Sequence, residues 1–221
     1  MSPNSVYDTG YYASHYAQIL NNEKYYTLLA LFWRNTIFLR HGLRLDAAVL
    51  DYGCGLGQVS AGLPRVTCFD PSEYAQRFLQ RRGRSVITRS EQIPSHSFDL
   101  LLSSHSLEHS INPRDDLIAF HNYVKPEGKI VLVLPVEANQ EPALAPDCHL
   151  HFYSWTFQTI TNLLLCCNWK PIYQSHIYGP FGLNTLGSIL PAERAIVFAR
   201  SLGKLLRKFK SLLTIAEALP T

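Results

Sequence analysis

Apolar positions along the chain follow two periods, and the switches between them mark its elements. Over residues 7 to 42 the period is helical. Tyr11, Tyr12, His15, Tyr16 and Ile19 share that spacing, and Glu23 to Arg40 sets Tyr26, Leu29, Phe32 or Trp33, Thr36 and Leu39 or Arg40 near one face. Beyond this region short apolar runs alternate with helical patterns. Val49 to Tyr52, Val66 to Phe69, Ser85 to Arg89, Ser97 to Leu102, Lys129 to Leu134 and Trp169 to Tyr178 read as strands. The fourth of these is nearly all apolar, as a central parallel strand buried on both faces must be. Helices are predicted over Val59 to Leu63, from Glu73 to Arg82 after the start signal Pro71-Ser72, from Asn112-Pro113 to Tyr123, and up to Cys167 with Ser154 as N-cap. Pro126-Glu127-Gly128 reads as a turn, and Val136 to Cys148, with two prolines and little periodicity, as an active-site loop. From Pro191 onward Ala199, Leu202, Leu206, Phe209, Leu213 and Ala216 fall on one helical face opposite Arg200, Lys204, Arg207 and Lys208. A strand over Arg194 to Arg200 is the alternative there, but the helical spacing persists to Ala216 and favours a helix.

The first strand runs into Asp51-Tyr52-Gly53-Cys54-Gly55-Leu56-Gly57-Gln58, a glycine-dense turn of the kind that lets backbone pass close under a nucleotide-like ligand. The second strand ends in Asp70, where a carboxylate meets a ribose diol. A dinucleotide fingerprint needs a glycine at the position held by Gln58, so the pattern favours a nucleoside without phosphates over a dinucleotide-dependent oxidoreductase. Asp51 agrees with this, because a carboxylate there repels a pyrophosphate and suits an amino group.

The chain has 221 residues, 47% of them hydrophobic and 12% aromatic, enough for one well-filled domain and unlike a disordered chain. A formal charge of +3 does not argue for nucleic acid, and no basic patch accompanies the glycine turn. The five cysteines include no C-x-x-C and leave one unpaired in an oxidising compartment, so a reducing, cytoplasmic setting is expected. No signal peptide or membrane span is read from the pattern. The basic amphipathic stretch 191–216 fits either peripheral contact with anionic lipid or packing on the domain or a partner.

With D-Y-G-C-G-L-G-Q, the acid Asp70, F-D-L-L-L-S-S-H-S-L-E-H followed by N-P, and K-P-E-G-K-I-V-L-V-L-P, the chain resembles class I S-adenosylmethionine-dependent methyltransferases from about Tyr11 to Tyr178. The resemblance is to the small-molecule type, similar to methyltransferase domains 11 and 23. It implies a three-layer α/β/α sandwich on a Rossmann-like, mostly parallel sheet. The expected partition is an N-terminal helical lid (1–42), a cofactor-binding core (43–178) and a C-terminal helical extension (179–221), all within a single domain. It further implies that Asp51, Gly53, Cys54, Gly55, Gly57, Asp70 and Pro71 bind S-adenosylmethionine, that Tyr11 or Tyr12 faces the sulfonium, and that Ser103 and Ser104 contact its methionine part. Many relatives hold the adenine with an aspartate where this chain has Arg89, which cannot accept a hydrogen bond, so Glu91 is the preferred substitute, with Ser90 and Gln92 as alternatives.

Methyl transfer needs a base only when the acceptor arrives protonated, and histidine suits a hydroxyl or phenol at neutral pH. His105 and His109 follow the fourth strand and are the candidate catalytic bases. His149 and His151 form a second pair that converges on the same region. No metal is expected, since His149-x-His151 has no third ligand at a telling spacing. The expected function is methyl transfer to a small or medium-sized acceptor, oxygen ahead of nitrogen or carbon. A non-catalytic or membrane-associated binding or scaffold protein on the same fold is the alternative.

Overall fold

The structure, a computed structural model, describes residues 7–137, 144, 149–208 and 210–220. Most of the expected active-site loop (138–143 and 145–148) and Phe209 lie outside the described residues. In chain order the elements are α1 (Thr9–His15), α2 (Ala17–Asn21), α3 (Glu23–Trp33), β1 (Val49–Tyr52), β2 (Val66–Phe69), α4 (Glu73–Arg81), β3 (Ser85–Ile87), β4 (Phe98–Ser104), α5 (Pro113–Tyr123), β5 (Val124–Pro135), α6 (Phe157–Cys166), β6 (Trp169–Tyr178), α7 (Leu183–Ile189), α8 (Ala192–Leu205) and β7 (Lys210–Ala218). Helix starts follow the capping chemistry of their residues. Asp8 accepts from the Tyr11 amide, Asn22 from Tyr25 and Ser72 from Ala75, and Pro113 opens α5.

Two compact units divide the chain, Met1–Ile93 with Tyr178–Phe209, and Pro94–Ile177 with Lys210–Thr221. In the first unit β3, β2 and β1 lie side by side, all parallel, with Val49 opposite Val66 and Thr67 opposite Ser85. Leu28, Leu29 and Phe32 of α3 pack against Leu183 of α7 and Ala195, Ile196 and Ala199 of α8. In the second unit the order is β4, β5, β7, β6, with β4 and β5 parallel and β7 antiparallel to β5. Trp169, fully buried at the start of β6, donates from its indole to the Leu117 carbonyl, and Gln174 donates to the hydroxyls of Thr161 and Thr214. The seven strands are mostly parallel and flanked by helices, the expected Rossmann-like α/β fold.

The C-terminal stretch differs from the expectation. Its helix ends at Leu205, and residues 210–218 form β7, paired with β5 from Lys129↔Glu217 to Pro135↔Ser211. The run Leu212 to Ala216 is apolar at almost every position, so it satisfies a helical template and a doubly buried strand alike. Burial against β5 decides for the strand. The surface expected to face lipid over 191–216 therefore shrinks to α8, where Val197 and Phe198 are exposed while Arg200 donates to Asn35. Among the described residues no helix is long and apolar enough to cross a membrane.

Three local expectations also change. Val59 to Leu63 forms turns rather than a helix, tied by Ala61 N–H to Gly57 O and Leu63 N–H to Ser60 O, because Gly62 and Pro64 stop propagation. The N-cap of α6 is Thr156, in a capping box with Thr159, while Ser154 donates to Glu137 instead. The predicted turn at 126–128 lies inside β5 as a break in register between Phe98↔Val124 and Leu100↔Lys129, with Glu127 in the left-handed region. At the C-cap of α4, the Arg82 guanidinium sits 4.1 Å over the Tyr26 ring and donates to Glu23.

The opposite burial of β7 and the outer face of α8 is testable by denaturant unfolding. Leu213→Ala, in a fully buried side chain, is expected to cost about 2–5 kcal/mol. Phe198→Ala, on the exposed face of α8, should stay within about 0.5 kcal/mol of the wild type.

Candidate functional site

In the first unit the glycine turn is built by backbone. Gly53, Gly55 and Gly57 all have positive φ, between 52° and 70°, a region that side chains with a Cβ avoid. The amides of Gly53 and Cys54 both donate to the Phe69 carbonyl at the end of β2, and the Gly57 amide donates to Cys54 O. This latch sets Asp70 directly against the turn. One carboxylate oxygen of Asp70 accepts from Gly55 N–H at 2.7 Å and the other from Ser72 N–H at 2.9 Å, which fixes the plane of the group. Gln76 anchors the same strand end, donating to the carbonyls of Asp70 and Thr88.

Burial pushes the Asp70 carboxyl up to about 6 despite its two amide donors. Asp51, 2% exposed near the end of β1, is pushed up to about 7 by burial, partly offset by the Ser60 hydroxyl and the Arg84 charge. Its Oδ2 has no hydrogen-bond partner, and neither does the buried Oε1 of half-buried Gln58. Orphan acceptors of this kind fit a ligand that brings donors, such as an ammonium group. Gly55 provides the room, since a Cβ there would meet only Tyr12 Oη, at 4.0 Å.

Of the two candidate tyrosines, Tyr12 is the one brought to the turn. It is buried, stacks on Tyr74 with centroids 5.0 Å apart, and has its phenol pKa raised by burial and by Asp70. Tyr11 is only partly buried and stacks on His15. Tyr26 donates to the Leu56 carbonyl, so α3 also holds the turn in place. Burial, and then the neighbouring Cys68, raise the pKa of the buried Cys54 thiol, which disfavours its thiolate. Pro71 and Glu91 are exposed, Glu91 on a short 3-10 turn (Ser90–Gln92).

The second unit holds the histidines, and they form a cluster. Ser103 at the end of β4 is fully buried with an unpartnered hydroxyl, and Ser104 is half-buried. His105 takes a positive φ of 51°, which turns the chain out of the strand, and its Nε2 lies 3.2 Å from Ser211 Oγ. Desolvation by its surroundings, and then the imidazoles of His151, His109 and His149, hold its pKa below the ordinary range, so it is neutral at pH 7. His109 Nδ1 faces the Leu150 carbonyl at 3.5 Å, and its ring centroid lies 4.8 Å from that of His151, which in turn stacks on His149.

Two carboxylates escaped the sequence reading. Glu108, on the 3-10 turn Leu107–His109, is fully buried, and burial pushes it up to about 8. Glu137 holds His151 Nδ1 and the Ser154 hydroxyl. Glu108 was legible only as the neighbour of His109. Glu137, in the aperiodic loop, carried no signal.

The raised carboxyls set a pH dependence. Asp51, Asp70 and Glu108 keep protons in the folded state that the unfolded chain has lost, so their stabilisation is full below about pH 4 and disappears as pH rises through the folded values. His105, with a lowered pKa, works in the opposite direction, but only up to about pH 6.5. Above that the ligand-free protein should lose stability toward alkaline pH. Asp51→Asn should remove its share of the loss, up to about 1.4 kcal/mol for each pH unit. Urea unfolding at about pH 5 and about pH 8 checks this, and an equal wild-type-to-variant difference at both would contradict it.

Residues 50–132 match the family described as methyltransferase domain. No curated protein matches the chain significantly in sequence. Several solved structures share the fold. The 1,6-didemethyltoxoflavin-N1-methyltransferase of Burkholderia thailandensis, crystallised with 1,6-didemethyltoxoflavin and S-adenosylhomocysteine, is 17% identical over 100% of this chain and 92% of its own, with a TM-score of 0.59. A chain from the complex of the Haloferax volcanii Trm112 methyltransferase activator with a methyltransferase is 14% identical over 100% of this chain and 99% of its own, with a TM-score of 0.64. The [4+2]-cyclase SpnF is 15% identical over 89% of this chain and 82% of its own, with a TM-score of 0.57. The family match spans the glycine turn and the strands that follow it, residues 50–132, and the solved structures share the fold of the chain.

Proposed function

We propose that this protein transfers a methyl group from S-adenosylmethionine to a small or medium-sized acceptor, with oxygen as the favoured acceptor atom. The observation that carries the reading is the pair of buried carboxylates on the glycine turn. Asp70 is oriented by two amides to take a ribose diol, and Asp51 has an unpartnered oxygen suited to the cofactor's ammonium group. The backbone of Gly53, Cys54, Gly55, Gly57 and Pro71 completes the cradle, with Tyr12 as its aromatic wall and Tyr11 behind it. By the family resemblance Glu91 takes the adenine, and Ser103 and Ser104 take the methionine part. S-adenosylmethionine supplies a methyl carbon activated by a sulfonium with a neutral leaving group. The protein then has to align the acceptor and exclude water, which is worth about 7–11 kcal/mol.

Oxygen is favoured because histidines gather in the second unit, and His105 is the better-suited base. It is uncharged at neutral pH and partly open, whereas His109 is engaged with Leu150 and His151. The Burkholderia enzyme is named for N1-methylation of 1,6-didemethyltoxoflavin, which supports a small-molecule acceptor and keeps nitrogen as the second choice. A second reading, cofactor binding without methyl transfer, is supported by SpnF, a fold relative named for cyclase chemistry.

Calorimetry with S-adenosylmethionine, S-adenosylhomocysteine and NAD tests the reading. Binding of the first two and not the third is expected, with Asp70→Ala weakening it about 10- to 100-fold. Absence of binding overturns both readings. A metabolite screen with labelled methyl donor separates them, since binding without label transfer supports the second. Once an acceptor is found, His105→Ala should lower kcat about 10²- to 10⁴-fold if the base is His105, and the acid limb of the wild-type rate profile should lie below the ordinary imidazole range.

A further inference from the structure

Glu108 presents an electrostatic problem within the second unit. Its side chain has no exposed surface, and neither carboxylate oxygen has a hydrogen-bond partner. An ionised carboxylate is not left so without compensation, and a protonated one needs an acceptor for its proton, which none of the described residues supplies within hydrogen-bond reach. What surrounds it is nitrogen. One ligand atom each from Glu108, His109 and His151 lie within 4.8 Å of one another, and His105 Nδ1 stands 3.6 Å from Glu108 Oε1.

The cluster is held from outside in the way metal ligands are. The Phe152 amide donates to the Glu108 backbone carbonyl at 2.8 Å, which fixes the His151 segment beside the 3-10 turn, and Leu150 in that segment takes a φ of 54°. His151 Nδ1 pairs with Glu137, whose second oxygen accepts from Ser154 at 3.0 Å. A carboxylate on one ring nitrogen fixes the tautomer and leaves Nε2 as the donor atom toward a cation. His109 Nδ1 faces the Leu150 carbonyl, which orients that ring the same way.

We infer that Glu108, His109 and His151 bind one divalent transition-metal ion of the zinc or cobalt class, with Glu137 as the outer carboxylate that orients His151. Two imidazoles and one carboxylate suit such an ion better than magnesium or calcium, which prefer all-oxygen ligands. Three protein ligands leave a coordination position open for water or an oxygen-bearing molecule. A dication also resolves the burial of Glu108. The inference is independent of methyl transfer, because it needs only the geometry of the second unit.

Titration of the full-length protein with Co²⁺, followed by absorption, tests it. One equivalent should bind, with ligand-field bands but no thiolate charge-transfer band, and should be displaced by Zn²⁺ but not by Mg²⁺. Glu108→Gln and His151→Ala should abolish stoichiometric binding, and Glu137→Gln should weaken it about 10- to 100-fold while the circular dichroism is unchanged. His121→Ala, in a ring engaged with the Leu219 carbonyl away from the cluster, should bind as the wild type does. If Glu108→Gln fails to fold, Glu137→Gln decides alone. Failure of the folded wild type to bind Co²⁺, a thiolate band, or wild-type affinity in Glu137→Gln overturns the inference.

Discussion

The geometry of the first unit depends on one hydrogen-bonded closure, the carboxylate of Asp70 on the amide of Gly55, backed by the amides of Gly53 and Cys54 on the Phe69 carbonyl. A turn with three residues at positive φ has little intrinsic preference for one shape, and glycine loses much entropy on being ordered. The latch to the end of β2 makes the turn rigid and aims Asp70 in the same step. Tyr12, Tyr26 and Leu56 then pack around it, so the N-terminal helices are part of the same construction as the glycines.

Both units concentrate buried carboxyls where other proteins place apolar side chains. Asp51, Asp70 and Glu108 are each pushed up by desolvation, and each retains capacity to accept a hydrogen bond or a charge. Polar groups held in this way destabilise the ligand-free fold and are retained where a ligand compensates them. In the first unit the compensating chemistry under the proposed function is a sulfonium nucleoside with an ammonium and a diol. In the second the imidazoles around Glu108 define it. The acceptor's identity does not follow from the fold, which the 1,6-didemethyltoxoflavin-N1-methyltransferase and the [4+2]-cyclase SpnF share at low identity.

Much was legible from local pattern. The strands that carry Asp51 and Ser103 and lead into Asp70 were readable because a parallel strand buried on both faces leaves a continuous apolar run, and the glycine spacing favoured a nucleoside over a dinucleotide without reference to any contact. The α5 helix was marked by its proline at the first turn, and Tyr11 and Tyr12 by their helical spacing. Choosing Tyr12 over Tyr11 required the packing of Tyr74 and Ser72, which come from α4 and its cap.

What the tertiary structure alone decided falls where local pattern is degenerate or the partner is distant in the chain. Residues 210–218 fit a helix and a strand equally well until β5 supplied the hydrogen-bonding edge. Thr156 displaced Ser154 as the cap of α6 because Glu137 had taken the serine hydroxyl. Glu108 and Glu137 carry no periodic signature, and their meaning arises only where the backbone of Phe152 meets that of Glu108 and brings His151 alongside. The sequence by itself determined where the first six strands lie and where the glycine turn falls, because both rest on short-range steric and hydrophobic rules. The pairing of charges and imidazoles was decided by folding, because electrostatic compensation depends on distance in space and on exclusion of water, neither of which a linear pattern encodes.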